Sequence, residues 1–368
     1  MFLNEVTILT AAGWAVVTAV LAAQRGGDQI RFRDFAFGGA IAAGMAGAVA
    51  VVWTESVFGL FHFAYVTATA GPAFLAAIIG FAMVRGGFGV TRGTAVLAVG
   101  LLVPPSVGIW ATHIAPFSVE TERVTLELPC GRSGDDDIVI GVLADIQTPR
   151  ITEHELSVRD RIMAENPDLI VIAGDMQQGS SLRDEIDGFR AFFAGLHAPH
   201  GVFLADGDVD SVEDAQRMIE GSSVQLLVND IVMLEVGDRR IALGANELEW
   251  DADGAVRMLS ELADVADDTV SIVLTHRPDV AIGMGGAADL VIAGHTHGGQ
   301  IVIPGIGPLS IASGIPRSIG AGGLHDLDGQ AIYVSSGVGM ERSEAPQVRL
   351  FAPPSFGVLT LTMGSGCA

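Results

Sequence analysis

Leu290-Val291-Ile292-Ala293-Gly294-His295-Thr296-His297-Gly298-Gly299-Gln300 is a short apolar run that stops at two histidines, two apart, among glycines. A run of this length and composition reads as a buried strand. The glycines after it permit tight backbone turns with little side-chain obstruction, and two imidazoles on such a turn can face adjacent metal ions. Four more runs end in the same way: Ile138 to Asp145, Leu169 to Asp175, Val202 to Asp208 and Val270 to His276. Open α/β sheets collect their ligands at the carboxyl ends of strands. Five strands distant in sequence can therefore bring carboxylates and imidazoles to one point.

Between these runs the pattern alternates. Amphipathic segments at Glu153 to Glu165, Asp184 to Leu196 and Asp253 to Ala263 read as helices. Val224 to Leu227, Ile231 to Val236 and Arg239 to Leu243 read as hairpin strands, with Gly237-Asp238 as a turn. Later strands are expected at Ile301 to Ile303, Ala331 to Val334 and Gly357 to Leu361. This mixture predicts two packed mixed sheets with helices on their outer faces.

The composition changes near Phe117. Before it, acidic residues are scarce and Gly, Ala and Val dominate, with four stretches long enough to cross a bilayer: Val6 to Ala23, Phe35 to Trp53, Val66 to Val84 and Thr94 to Ala115. A cleaved signal peptide competes for the first stretch, but Met1 to Glu5 has no basic residue and three more apolar stretches follow. We therefore expect a transmembrane domain of four helices over 1–116 and a second domain over 117–368. Arg25, Arg31, Arg33, Arg85 and Arg92 occupy the first and third loops, which by the positive-inside rule face the cytoplasm. The expected localisation is a multi-pass membrane protein with its second domain outside the cytoplasmic membrane.

The net charge of -23 disfavours nucleic acid as a partner, and no protein partner is evident. Cys130 and Cys367 are the two cysteines. They follow the runs Val124 to Leu128 and Val358 to Met363, which could be neighbouring strands, and either a disulfide or two free thiols fits that arrangement.

An aspartate can bridge two cations through its two oxygens, and a buried unpaired aspartate needs such compensation. An N-cap role is the competing reading of Asp145 and Asp175. Taken together, Asp145/Gln147, Gly174-Asp175, Gly207 to Asp210, His276 and Gly294 to His297 resemble the ordered motifs of the calcineurin-like metallophosphoesterase superfamily. Gly298-Gly299-Gln300, Ser335-Ser336-Gly337 and Pro353-Pro354 resemble its membrane-linked bacterial subgroup, which includes exported cell-wall phosphoesterases and UDP-2,3-diacylglucosamine hydrolases.

The resemblance implies an α/β fold, a four-layer α/β/β/α sandwich, with two divalent cations. One would be held by Asp145, Gln147, Asp175 and His297, and the other by Asp175, Asp208, His276 and His295. It also implies hydrolysis of a phosphoester by hydroxide shared between the cations.

Three positions depart from the family pattern. Gln147 stands where a histidine is usual, and its amide oxygen is a harder ligand that favours manganese, with iron, zinc or magnesium as alternatives. Asp208 replaces asparagine and adds negative charge. Val209 replaces the histidine that assists the leaving group, help typically worth about 10²–10⁴-fold, which leaves Asp210 as the nearby catalytic candidate. Arg150 and His154 are candidate substrate-binding substitutes, or simply part of a helix start, and Asn246 is a candidate for the cleft wall.

The expected activity is hydrolysis of a phosphodiester or pyrophosphate bond in a small phosphoester or a lipid-linked envelope molecule, with the bilayer as a partner. Two alternatives are a UDP-2,3-diacylglucosamine hydrolase, if the domain is cytoplasmic, and a catalytically weakened metal-binding or interaction module.

Overall fold

The computed structural model describes residues 57–84, 92–179, 181–248, 253–342 and 345–364. The chain divides into two compact units, Met1–Ile114 with Arg342–Gln347, and Ala115–Glu341 with Val348–Ala368.

In the first unit, helix α1 spans Val57–Val84 with Pro72 inside it. Its stretch Gly59–Ala77 is, among the described residues, the one helix long and apolar enough to cross a membrane. The span expected over Thr94 to Ala115 is instead two short helices, α2 (Arg92–Gly100) and α3 (Val103–His113). Pro104 and Pro105 explain the break. Proline suits a first helical turn, where its absent N–H has no partner to lose, and it interrupts a helix that would continue through it. Four transmembrane helices are thus not supported. The stretches Val6 to Ala23 and Phe35 to Trp53 lie outside the described residues. Tyr65 of α1 donates to the Gly108 carbonyl of α3 at 2.8 Å.

The second unit holds two six-stranded sheets and a two-stranded ribbon of β10 (Val302–Ile303) and β11 (Gly307–Pro308). In spatial order the first contains β1 (Glu120–Leu128), β14 (Ser355–Met363), β2 (Ile138–Leu143), β3 (Leu169–Ile172), β4 (Val202–Ala205) and β5 (Val224–Leu227). The second runs β12 (Gly323–Leu327), β13 (Gln330–Val334), β9 (Leu290–Ala293), β8 (Val270–Leu274), β7 (Arg239–Ala245) and β6 (Asp230–Val236). Strands β2, β3 and β4 are mutually parallel, as are β7, β8 and β9. Their carboxyl ends therefore share an edge within each sheet.

Side chains from both sheets, among them Ile140, Leu169, Phe203, Leu243, Ile272 and Ile292, form one buried cluster. The sheets consequently pack face to face. On the outer face of the first sheet lie α4 (Glu153–Ala164), α5 (Leu182–Ala194) and α6 (Val212–Ile219), whose Ile162, Phe189, Phe192, Phe193 and Met218 pack against Ile170, Leu143 and Leu204. Truncating one of those fully buried phenylalanines to alanine would cost about 3–5 kcal/mol. Helix α7 (Asp253–Ala263) covers the second sheet through Met258 and Leu262. The layers run helix, sheet, sheet, helix.

Two details differ from expectation. Val224–Leu227 pairs in parallel with β4 as an edge of the first sheet, while the hairpin at Gly237-Asp238 joins only β6 and β7. Helix α6 follows the β4 loop directly, capped by the Ser211 hydroxyl, which accepts from the Asp214 amide at 3.1 Å.

Candidate metal centre

Each of the five apolar runs ends at the same kind of place. Asp145 lies just beyond β2, Asp175 beyond β3, Asp208 beyond β4, His276 beyond β8 and His295 beyond β9. The loops are tied to one another by their backbones: the Asp145 amide donates to the Gly174 carbonyl at 3.1 Å, and the Gln147 amide to the Asp175 carbonyl at 3.0 Å. Asp145, Gln147, Asp175, His295 and His297 all have left-handed backbones, with φ between 32° and 72°. Such residues cost about 1–3 kcal/mol each, persist only where the surroundings impose them, and cluster at functional sites.

The side chains converge. Ligand-type atoms of Asp145, Asp175 and His276 lie within 4.8 Å of one another, as do those of Asp208, His276 and His295. His276 Nε2 is 3.3 Å from Asp175 and 3.4 Å from Asp208, and His295 Nδ1 is 2.7 Å from Asp208. The Gln147 amide donates to Asp175 at 2.7 Å. His297 stands 3.9 Å from Asp145. His276 Nδ1 bonds the Ala173 carbonyl at 2.8 Å, which fixes the ring so that Nε2 faces the carboxylates.

Residues 138–299 match the family model for calcineurin-like phosphoesterases. This stretch is similar to calcineurin-like phosphoesterases. The chain is similar to an uncharacterized metallophosphoesterase of Campylobacter jejuni, 29% identical over 66% of this chain and 63% of that protein. It is also similar to the uncharacterized metallophosphoesterase YkuE of Bacillus subtilis, 27% identical over 72% of this chain and 93% of the relative. A third relative, from Aquifex aeolicus, is 26% identical over 68% and 94%. These similarities support metal-dependent phosphoester hydrolysis, in a family that binds divalent metals.

The chemistry of the donor set fits such cations. Carboxylate oxygens and imidazole nitrogens are the ligands that manganese, iron and zinc accept, and several buried carboxylates in one place demand positive charge. Burial pushes the fully enclosed Asp145 carboxyl up to about 7. Burial also opposes ionisation of Asp175 and Asp208, but the hydrogen bonds and charge of His276, joined at Asp208 by His295, outweigh it and hold both carboxyls below their usual range. His276 answers in kind: desolvation works against its charge, yet Asp175 and Asp208 raise it well above an ordinary histidine. Burial and the neighbouring Arg349 guanidinium keep His297 well below the ordinary value, in the uncharged form that a metal ligand requires.

The remaining candidates have other surroundings. Both carboxylate oxygens of Asp210 accept from backbone amides, of Met176 and Gln177, so Asp210 ties down the loop that carries Asp175. His154 sits in the first turn of α4 with its ring edge-on to Phe117 at 5.2 Å, and the Arg150 carbonyl accepts from the Thr148 hydroxyl at 2.7 Å. Both belong to the helix start, where the Thr152–Glu155 capping box closes α4. Asn246 is buried just beyond β7 and donates to the Glu247 carbonyl at 2.7 Å.

Three residues not marked out by the sequence also border the cluster. Arg277 pairs with Asp208 at 2.6 Å. Arg349, wholly enclosed, donates to the His297 carbonyl at 2.6 Å. Glu341 accepts from the side-chain amides of Gln178 at 2.9 Å and Gln147 at 3.4 Å.

Proposed function

We propose that the chain is a membrane-anchored, extracytoplasmic hydrolase of phosphodiester or pyrophosphate bonds that works with a pair of divalent cations, manganese preferred. The observation that carries this reading is the convergence of five strand ends on one cluster of aspartates and histidines, three of them with strained left-handed backbones. Asp145, Gln147, Asp175 and His297 would hold one cation and Asp175, Asp208, His276 and His295 the other, with Asp175 shared. When bound, the cations lower the pKa of water and offset charge on the phosphoryl group.

The protein's own part is to aim these donors. The Val209 amide donates to Asp175 Oδ1 at 3.0 Å, leaving Oδ2 on the side of His276 and Gln147. The Ala173 and Ala312 carbonyls orient His276 and His295 through their remaining ring nitrogens. Arg349, buried behind His297, favours its neutral state.

Acidic character disfavours nucleic acid, and an apolar N-terminal region favours an envelope or lipid-derived substrate. Cys130 is disulfide-bonded, which suits an oxidising compartment and the extracytoplasmic placement. The departures at Gln147 and Val209 support a second reading, a weakened site that binds metal without turnover.

Manganese should stimulate hydrolysis of bis-p-nitrophenyl phosphate by the purified full chain, and Asp175→Ala should abolish it. Bound metal with no activity above that variant would favour the second reading.

A further inference from the structure

Two guanidinium groups touch the predicted ligand residues, and they differ in what they can reach. Arg349 is enclosed and spends its N–H donors on the carbonyls of His297, Gly337 and Gly339. Arg277 is 43% exposed at its side chain. Its Nε and one terminal nitrogen both donate to Asp208 Oδ1, at 3.0 and 2.6 Å.

Asp208 divides its two oxygens. Oδ2 faces His295 Nδ1 at 2.7 Å and His276 Nε2 at 3.4 Å, while Oδ1 takes the two shorter bonds of Arg277, whose Nε also lies 3.4 Å from Oδ2. One carboxylate therefore separates the guanidinium from the imidazole cluster. A guanidinium has five N–H donors in a planar fork that matches carboxylate or phosphate, so the grip on Asp208 leaves donors over. Val209, the next residue, has no polar side chain to offer an anion. The surrounding carboxylates, Asp145, Asp175 and Asp208, would otherwise repel one.

We propose that Arg277 is a catalytic residue, contacting the phosphoryl oxygens of the substrate and holding the charge that develops there, with Asp208 presenting its guanidinium. The inference rests on the hydrolase reading above. In the reaction a water oxygen forms the new bond to phosphorus as the bond to the leaving oxygen breaks. The proton lost by the water goes to solvent, and the leaving oxygen takes one from solvent. Arg277 keeps its protons throughout and acts through its fixed charge and N–H donors.

The test combines calorimetric binding of inorganic phosphate to the manganese-loaded full chain with turnover of bis-p-nitrophenyl phosphate. Arg277→Gln should weaken phosphate binding at least about 10-fold and lower kcat by about 100-fold, while manganese affinity does not weaken. Arg277→Lys, which keeps charge without the fork, should fall between the two. It also carries the test if the glutamine variant fails to fold. The decisive comparison is made in the Asp208→Asn background, where no acid remains for Arg277 to neutralise. A persisting loss on adding Arg277→Gln supports contact with the phosphoryl group. Unchanged phosphate affinity, or a loss that vanishes in that background, overturns the proposal. A wild-type chain that binds phosphate in an Arg277-dependent way without turnover would instead count against the parent hydrolase reading alone.

Discussion

His276 has ionised acids on two sides, Asp175 at 3.3 Å and Asp208 at 3.4 Å, and these raise it well above an ordinary histidine despite the opposing effect of burial. Burial, joined by the charge of Asp175, lifts Asp145 to about 7. Both are groups whose pKa is higher in the folded state than in the unfolded one, so their contribution to stability is complete at low pH and is lost as pH climbs through the folded values. Asp175 and Asp208, both lowered, act oppositely and only in strong acid, outside this window. With metal removed, the melting temperature should fall between about pH 6 and about pH 8. Because ligation requires both groups deprotonated, added manganese should raise the melting temperature more at the upper pH. A metal-free melting temperature that climbs over this interval would contradict the electrostatics described. At this scale the aspartates and histidines were legible because each closes an apolar run. Arg277 was not, since its partner Asp208 lies 69 positions away and nothing local marks a paired arginine.

The elements matter through their ends. Strand β9 delivers His295 by way of Gly294, where a Cβ would stand 2.7 Å from Asp145 Oδ2 and 2.9 Å from the Ala144 Cβ. Gly294→Ala must displace a buried ligand residue, so we expect about 1–3 kcal/mol of destabilisation together with weaker manganese binding. Gly188→Ala, in α5, meets only ordinary contact with Ile151 at 3.6 Å and should be neutral or stabilising by about 0.5–1 kcal/mol. Thermal melts and manganese titrations of the two variants check this, and equal behaviour would contradict the close packing at Gly294. The core strands were readable because they are buried on both faces. Val224 to Leu227 was misread because so short a run fits a hairpin or a parallel edge equally, and its partner β4 is set by tertiary packing. Helix α6 is eight residues long, too short for a periodic pattern to stand out.

Across the whole molecule, the apolar first region and the acidic second one correspond to a contrast in composition that is plain in the sequence. Length and hydropathy made Thr94 to Ala115 one span, whereas Pro104 and Pro105 divide it into two short helices. Strands β1 and β14 run parallel and end with Leu128 opposite Met363, close in sequence to Cys130 and Cys367. Cys130 is disulfide-bonded, and Cys367, the other cysteine of the chain, lies outside the described residues. For an extracytoplasmic domain, protease added to intact spheroplasts should digest a C-terminal tag without detergent. Protection until lysis would place the domain in the cytoplasm and favour hydrolysis of a nucleotide-linked lipid precursor there.

On the proposed function, separate strand ends supply one pair of cations through a shared Asp175. Anomalous diffraction at the manganese edge from crystals soaked in that metal tests it directly. Two peaks roughly 3.5–4 Å apart, both beside Asp175 and divided between the His276/His295 and Asp145/His297 sides, are the expected result. A peak elsewhere, or none near Asp175, would contradict it.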